Sequence, residues 1–125
     1  MALLIDSQVL LWGAADLLGR GAKEKLTADA VFVSAASVWE LEMKRKAGRL
    51  RAPEDIEWLV DDAGYEQLEI TFEHARIAGR LPLHHRDPFD RMLVAQARVE
   101  GLTLATADRD LAAYDVPILE VEKGR

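Results

Sequence analysis

Cysteine is absent from the 125-residue sequence, aromatic residues make up only 6% of it, and long apolar runs are missing. The absence of cysteine excludes disulfides, thiolate zinc sites and cysteine nucleophiles. No segment approaches the roughly 20 apolar residues that a membrane-spanning helix needs. The N-terminal apolar stretch is interrupted by Asp6 and lacks a preceding basic region, so it is not typical of a secretory signal peptide. These absences favour a soluble, cytoplasmic protein.

Apolar and charged residues, by contrast, are plentiful. Hydrophobic residues account for 50% of the chain, which predicts one domain over residues 1–125 with a substantial core. The net charge of −6 argues against general coating of nucleic acid, which depends on lysine and arginine. The basic residues are clustered, however. Residues 44–51 contain five of them and no acid, and a second group comprises His84, His85, Arg86 and Arg91. Either group alone is typical of solvated helix ends and loops.

Short apolar runs alternate with helical segments along the chain. The apolar runs predict strands at residues 2–5, 31–33, 67–70, 102–105 and 117–121. Helices are predicted from Ser7 to residue 12 and over residues 21–30, 35–46, 53–63, 72–80, 88–100 and 111–114. Strands that alternate with helices predict a mainly parallel sheet covered on both faces.

Capping residues mark the ends of several of these helices. Good N-caps are Ser7, Ser34, Thr71 and Asp87, while Gly48, Gly64 and Gly101 are suited to ending helices. Pro88 suits the first helical position because its missing N–H is not needed there. The helix over residues 35–46 is predicted to bury Val38, Trp39, Leu41 and Met43. Trp12 and Trp58, being isolated tryptophans, are also expected in the core, although a partner-binding groove is the alternative for all three tryptophans.

Four acidic residues adjoin predicted strands. Asp6 follows the first strand, Asp108 follows the fourth, Glu40 lies on the helix after the second strand, and Asp90 begins the helix before the fourth. In parallel sheets the functional crevice lies beyond the carboxyl ends of the strands. We therefore expect these four carboxylates to converge there.

Converging carboxylates repel one another, and a divalent cation relieves that repulsion. Oxygen ligands without cysteine or an evident histidine cluster favour Mg²⁺ or Mn²⁺ over Zn²⁺. The chemistry that matches such a pocket is hydrolysis of a phosphodiester.

Each acid also has a structural alternative. Asp6 is placed to cap the first helix, and Asp108 is placed to start a turn with Asp110. Glu40 completes a capping-box pattern with Ser37 and is spaced to pair with Lys44. Asp87 is best explained as the N-cap of the helix that carries Asp90, so it is only a secondary site candidate. The joint placement of the acids, rather than any one of them, favours a functional site.

Four stretches of the sequence resemble a PIN domain of the VapC type, the toxin half of a type II toxin–antitoxin pair. They are Leu3-Leu-Ile-Asp6-Ser7, Val33-Ser-Ala-Ala-Ser-Val-Trp-Glu40-Leu, His84-His-Arg-Asp-Pro-Phe-Asp90-Arg-Met-Leu-Val-Ala-Gln96 and Leu104-Ala-Thr106-Ala-Asp108. They occur in the family's order and span essentially the whole chain.

The resemblance implies a three-layer α/β/α fold around five parallel strands in the order 3-2-1-4-5. It implies a magnesium-dependent endoribonuclease that leaves 5′-phosphate and 3′-hydroxyl ends. The family's catalytic acids fall on Asp6, Glu40, Asp90 and Asp108. Of these, Asp6, Asp90 and Asp108 are expected to hold the metal, with Glu40 acting through water. Ser7 and Thr106 match the family's supporting hydroxyl positions. One departure is Gln8, where many relatives of this type have histidine.

The resemblance also implies partners. We expect an RNA substrate, a VapB-like antitoxin that lays an apolar helix in a groove, a homodimer and a toxin–antitoxin hetero-oligomer, with no membrane association. The candidates for contacts with the RNA backbone are Lys44, Arg45, Lys46, Arg49 and Arg86. Two alternatives are a catalytically silent PIN module that binds RNA or protein, for which Gln8 is the only support, and a receiver-type phosphotransfer domain. The second normally needs paired acids at the first strand, where this chain has Asp6 alone.

Overall fold

The computed structural model describes residues 1–124, and its strands form one parallel sheet. The strands in this part of the chain are β1 (Ala2–Ile5), β2 (Ala30–Ser34), β3 (Glu66–Leu68), β4 (Thr103–Thr106) and β5 (Ile118–Glu120). Their order is β3-β2-β1-β4-β5, and every neighbouring pair is parallel. This confirms the predicted fold and places β1 beside β4. The order differs from the 2-1-3-4-5 order of receiver domains, so the phosphotransfer alternative is wrong.

The helices occupy the predicted segments with small shifts at their ends. They are α1 (Ser7–Ala14), α2 (Arg20–Ala28), α3 (Ala35–Lys46), α4 (Ile56–Asp62), α5 (Phe72–Arg80) and α6 (Pro88–Glu100). The short helix predicted over residues 111–114 is a 3₁₀ helix at Arg109–Ala113. Helix α4 begins later than predicted because the Asp55 side chain accepts a hydrogen bond from the Trp58 N–H and caps it there.

The sheet is buried on both faces. Along β1, Leu3 and Ile5 belong to the core beneath α1–α4, while Leu4 belongs to the core beneath α5 and α6. All three are fully buried, as expected when successive side chains of a strand point to opposite faces. Burial on both faces explains why β1 is a continuous apolar run rather than an alternating one.

Two predictions about the helices are wrong. Asp6, not Ser7, is the N-cap of α1: its carboxylate accepts a hydrogen bond from the Val9 N–H, and Ser7 is the first helical residue. Trp39 and Met43 are exposed rather than buried, because α3 turns Ala36, Ser37, Glu40 and Leu41 inward instead. Trp58 is exposed as well, so neither it nor Trp39 is a core residue.

The C-terminal end of α6 offers a test of backbone conformation. Gly101 ends that helix with a φ of 68°, a left-handed conformation that is unfavourable for residues with a Cβ atom. Gly101→Ala is therefore expected to lower the free energy of unfolding by about 1 kcal/mol. Gly79, on α5 with open space around its Cα, is the matched control: Gly79→Ala should stabilise the protein by roughly 0.5–1 kcal/mol. Urea unfolding measures both, and equal effects would contradict the conformational argument.

Among the described residues, every helix is too short or too polar to cross a lipid bilayer.

Candidate functional site

The ends of the adjacent strands β1 and β4 bring Asp6, Thr106 and Asp108 together. The Asp6 N–H donates to the Ala105 carbonyl at 3.1 Å, so Asp6 continues the pairing of β1 with β4. The Thr106 hydroxyl donates to Asp6 Oδ2 at 2.6 Å and accepts from the Asp108 N–H at 3.0 Å. One buried hydroxyl thus links two of the predicted site acids. Both acids also cap helices, since Asp6 caps α1 and Asp108 Oδ1 accepts from the Asp110 N–H.

Glu40 lies on α3 and is buried. Its carboxylate accepts hydrogen bonds from Ser7 Oγ at 2.7 Å and from Lys44 Nζ at 3.0 Å. Ser34, whose side chain accepts from the Ala36 N–H, caps α3, so the alternative capping box between Ser37 and Glu40 does not form. The pairing of Glu40 with Lys44, one turn apart, does form.

Helix α6 delivers Asp90. Asp87 is the predicted N-cap, with its carboxylate accepting from the N–H groups of Phe89 and Asp90, and Pro88 occupies the first turn. Burial, followed by the negative charges of Asp87, Glu40 and Asp6, raises the pKa of Asp90 from 3.8 to about 7, although His85 opposes this rise. The position of Asp90 beside Asp108 follows from their shared neighbour His85, whose Nε2 lies 3.5 Å from Asp90 Oδ2 and 2.8 Å from Asp108 Oδ2.

Burial also raises the pKa of Asp6, and the charge of Glu40 adds to that effect, while hydrogen bonds from Thr106 and Val9 oppose it. Two of the four acids therefore pay an electrostatic penalty for their position when they are ionised. Within the described residues, only Lys44 and His85 bring positive or partly positive groups within ion-pair distance of the four.

His85 is the site residue that sequence reasoning missed. Its Nε2 lies 2.8 Å from Asp108 Oδ2 and 3.5 Å from Asp90 Oδ2. Its Nδ1 accepts a hydrogen bond from the Asp87 N–H at 3.1 Å, so Nε2 must carry a proton and donate it toward the two carboxylates. Burial lowers the pKa of His85, but the hydrogen bond to Asp108 and the charges of Asp90 and Asp108 outweigh that effect and raise it overall. In the sequence, only its place two residues before an N-cap aspartate pointed to this role.

The loop that carries His85 is held by the buried Tyr114 and the half-buried Arg91. The Tyr114 hydroxyl accepts from the His85 N–H at 3.0 Å and donates to the Pro82 carbonyl at 2.8 Å. The guanidinium of Arg91 donates to the carbonyls of Ala78, Leu81 and Pro82. Arg91, which the sequence suggested as part of a basic surface, is thus a structural clamp instead.

The donor atoms fit a hard divalent cation. The ligand atoms of His85, Asp90 and Asp108 lie within 4.8 Å of one another, and Asp6 is joined to Asp108 through Thr106. Carboxylate oxygens are the donors that Mg²⁺ and Mn²⁺ prefer. Because His85 Nε2 carries a proton, its role in this geometry is to orient the carboxylates rather than to offer a lone pair. Asp90 and Asp108 are therefore the carboxylates of this cluster that could hold a cation, and Asp6 adjoins Asp108 through Thr106.

The basic candidates fall into two groups. Lys44 is bonded to Glu40, and Arg45 donates to the carboxylate of Glu42 and to the Pro53 carbonyl, so both have partners within the chain. The other three, Lys46, Arg49 and Arg86, are exposed.

A model of the PIN domain family matches residues 3–117 of the chain. Among curated proteins, no sequence matches.

Several solved structures are similar to the chain over almost its full length. One is VapBC2 from Rickettsia felis bound to a DNA fragment from its promoter, with a TM-score of 0.71, 11% identity, and coverage of 98% of this chain and 100% of that one. A toxin–antitoxin complex from Klebsiella pneumoniae has a TM-score of 0.67 and 20% identity, with coverage of 94% and 95%. VapBC-5 from Mycobacterium tuberculosis, a member of the VapBC family of toxin–antitoxin systems, has a TM-score of 0.63 and 25% identity, with coverage of 95% and 98%.

Proposed function

Since this chain belongs to the PIN domain family, we propose that it is a metal-dependent endoribonuclease that acts as the toxin of a VapBC-type toxin–antitoxin pair. The observation that supports the proposal is a chain of contacts: Thr106 joins Asp6 to Asp108, His85 joins Asp108 to Asp90, and Ser7, which follows Asp6, donates to Glu40. The carboxylates alone would repel a phosphodiester, so hydrolysis of a phosphodiester fits this pocket only when a divalent cation is bound there.

In this proposal Asp6, Asp90 and Asp108 hold Mg²⁺ or Mn²⁺, and Glu40 acts through water. The cation, when bound, would lower the pKa of a water molecule and offset negative charge on the phosphate. The product ends would be a 5′-phosphate and a 3′-hydroxyl.

The other side chains would fix the acids in place. Thr106 orients Asp6 through its 2.6 Å hydrogen bond, and Ser7 orients Glu40 at 2.7 Å. Lys44 orients Glu40 as well, through its 3.0 Å hydrogen bond to the carboxylate. His85 holds Asp108 through Nε2–H. Such preorganisation matters because a small misplacement of catalytic groups costs roughly a hundredfold in rate.

The proposed partners follow from the similar structures. The Klebsiella pneumoniae structure is a toxin–antitoxin complex, and VapBC-5 belongs to the VapBC family of toxin–antitoxin systems. We propose by analogy that a VapB-like antitoxin binds this chain, and that the chain forms a homodimer within a hetero-oligomeric complex.

The test is cleavage of RNA by the purified chain. With Mg²⁺ present, RNA should be cut to 5′-phosphorylated fragments on a denaturing gel, and EDTA should stop the reaction. Asp108→Asn should reduce the rate by roughly a hundred- to a thousandfold. Asp110→Asn is the matched control, because Asp110 is exposed and lies two residues further along the chain, and it should cut at the wild-type rate. Equal rates for wild type and Asp108→Asn would assign the activity to a contaminant. RNA binding without cleavage would instead support the silent binding module.

A further inference from the structure

Two aromatic side chains form an exposed pair on helices α3 and α6. Trp39 remains 60% exposed, although its indole is large and apolar. Its ring centroid lies 5.1 Å from that of Phe89, with an angle of 76° between the ring planes, and Phe89 is half-buried. The edge-to-face contact restricts the indole, while most of its surface stays open to a ligand.

The pair lies on the two helices that carry Glu40 and Asp90. Trp39 directly precedes Glu40 on α3, and Phe89 directly precedes Asp90 on α6, so each aromatic residue has its Cα about 3.8 Å from that of a site acid. The two helices pack against each other here. A ligand resting on Trp39 would therefore adjoin the carboxylates.

The surface beyond Trp39 becomes basic along α3, because the exposed Glu42 on this face is paired with Arg45 at 2.6 Å. Met43 and Lys46 follow at spacings of four and seven residues, which places all three on one exposed face, with Lys46 about 10 Å from Trp39 along the helix axis. Arg49, also exposed, comes after the helix. The order along this face is acid pocket, aromatic ring and then positive charge.

Trp39 also borders an apolar cavity of about 350 Å³ that is lined by Glu57 and Glu69 as well. These carboxylates would repel phosphate, so a nucleic acid strand would run toward Lys46. Aromatic rings beside a basic track are the pattern by which proteins bind single-stranded nucleic acid without reading its sequence.

We infer that Trp39, braced by Phe89, is a stacking platform for a nucleobase of single-stranded RNA adjacent to the phosphate that is cut. This inference rests on the proposed ribonuclease function and adds a binding site to it. The positive charges of Lys46 and Arg49 beyond Trp39 favour RNA, rather than a protein helix, as the ligand of this surface.

Binding is tested apart from cleavage in the Asp90→Asn background. The probe is a fluorescein-labelled single-stranded oligoribonucleotide with Mg²⁺ present, and fluorescence anisotropy measures its dissociation constant. Adding Trp39→Ala should weaken binding by roughly ten- to a hundredfold, the cost of losing one stacked base. Trp39→Phe in the same background should keep most of the affinity that Trp39→Ala loses, because an aromatic ring is retained. Trp58→Ala is the matched control, since Trp58 is 59% exposed on α4, and it should bind as the background does.

Tryptophan emission provides a second readout. RNA should quench the emission of the Asp90→Asn protein, and the quenching should be lost in Trp39→Phe even though that variant still binds. If Asp90→Asn and the double variant with Trp39→Ala bound RNA equally well, the stacking platform would be overturned. That result would not affect cleavage by the wild type. If Trp39→Ala weakened binding of an antitoxin helix but not of RNA, the stacking platform would be overturned and Trp39 would be a protein contact. Failure of the Asp90→Asn protein to bind RNA at all would overturn the platform, whereas the proposed function is tested separately by cleavage with the wild type.

Discussion

Asp90→Asn is expected to stabilise the metal-free protein at pH 8 while it abolishes cleavage of RNA. The reason is that Asp90 is held where its ionised form is unfavourable. Burial and the charges of Asp87, Glu40 and Asp6 raise its pKa from 3.8 to about 7. An asparagine has nearly the same shape and carries no charge.

The direction of the pH dependence follows from proton linkage. A carboxyl group whose pKa is higher in the folded state binds its proton more tightly there, so stability falls as the pH rises between the two pKa values. For Asp90 this interval runs from about 4 to about 7. The loss is roughly 1.4 kcal/mol for each pH unit in that interval, or about 4 kcal/mol in all. The raised pKa of His85 acts in the same direction, because its protonated form is also favoured by folding.

Urea unfolding of EDTA-treated protein at pH 5 and pH 8 measures this effect. The wild type should be less stable at pH 8, and Asp90→Asn should recover about 4 kcal/mol there but only about 1.5 kcal/mol at pH 5. Asp61→Asn, at an exposed position on α4, should change stability by less than about 0.5 kcal/mol at either pH. Stabilisation by Asp90→Asn that is equal at both pH values would contradict the electrostatic explanation.

The same substitution should remove the function. Without the Asp90 carboxylate, the proposed site has lost one of its three metal ligands, so single-turnover cleavage of RNA should fall by roughly a hundred- to a thousandfold. Mg²⁺ should raise the melting temperature of the wild type at pH 8 and leave that of Asp90→Asn almost unchanged. Like charges that are held together in a preorganised pocket destabilise the fold, and binding of a cation removes that destabilisation.

The sheet and its order could be predicted because burial on both faces leaves a plain signal in the sequence. β1 is apolar throughout, and Ser34, Thr71 and Asp87 cap their helices where predicted. The resemblance to a family then supplied the strand order, which periodicity alone does not determine. Strand order in turn brings Asp6 and Asp108 to one edge of the sheet.

What could not be predicted depends on contacts between distant parts of the chain. His85 is 23 residues from Asp108 in the sequence, and only the folded loop brings its Nε2 to that carboxylate. Trp39 was expected inside because tryptophan is usually buried, but the inward face of α3 is used by Glu40 and Leu41. Arg91 looked like a surface charge and instead holds carbonyl groups of the loop. In each case the local pattern fits two environments, and the tertiary structure selects one.

Asp6 has two roles that substitution can separate, since it caps α1 and also belongs to the proposed metal site. Asp6→Asn should keep the cap, because its amide oxygen can still accept from the Val9 N–H, but its amide nitrogen cannot accept from the Thr106 hydroxyl, so the variant should be more stable than Asp6→Ala. Asp6→Ala should lose both the cap and the acceptor for the Thr106 hydroxyl, at a cost of about 2 kcal/mol. Both variants should cut RNA roughly a hundred- to a thousandfold more slowly.

A double-mutant cycle with Thr106→Val isolates the buried hydrogen bond. In the wild type, Thr106→Val leaves Asp6 Oδ2 without its donor at 2.6 Å, whereas in Asp6→Ala there is no carboxylate left to satisfy. The two substitutions should therefore be less than additive in urea unfolding, with a coupling of roughly 1 kcal/mol. Additive effects would mean that the hydroxyl does not orient Asp6. Wild-type cleavage by Asp6→Asn would mean that Asp6 serves only as a helix cap, and the metal site would then have to be built from Asp90 and Asp108 without it.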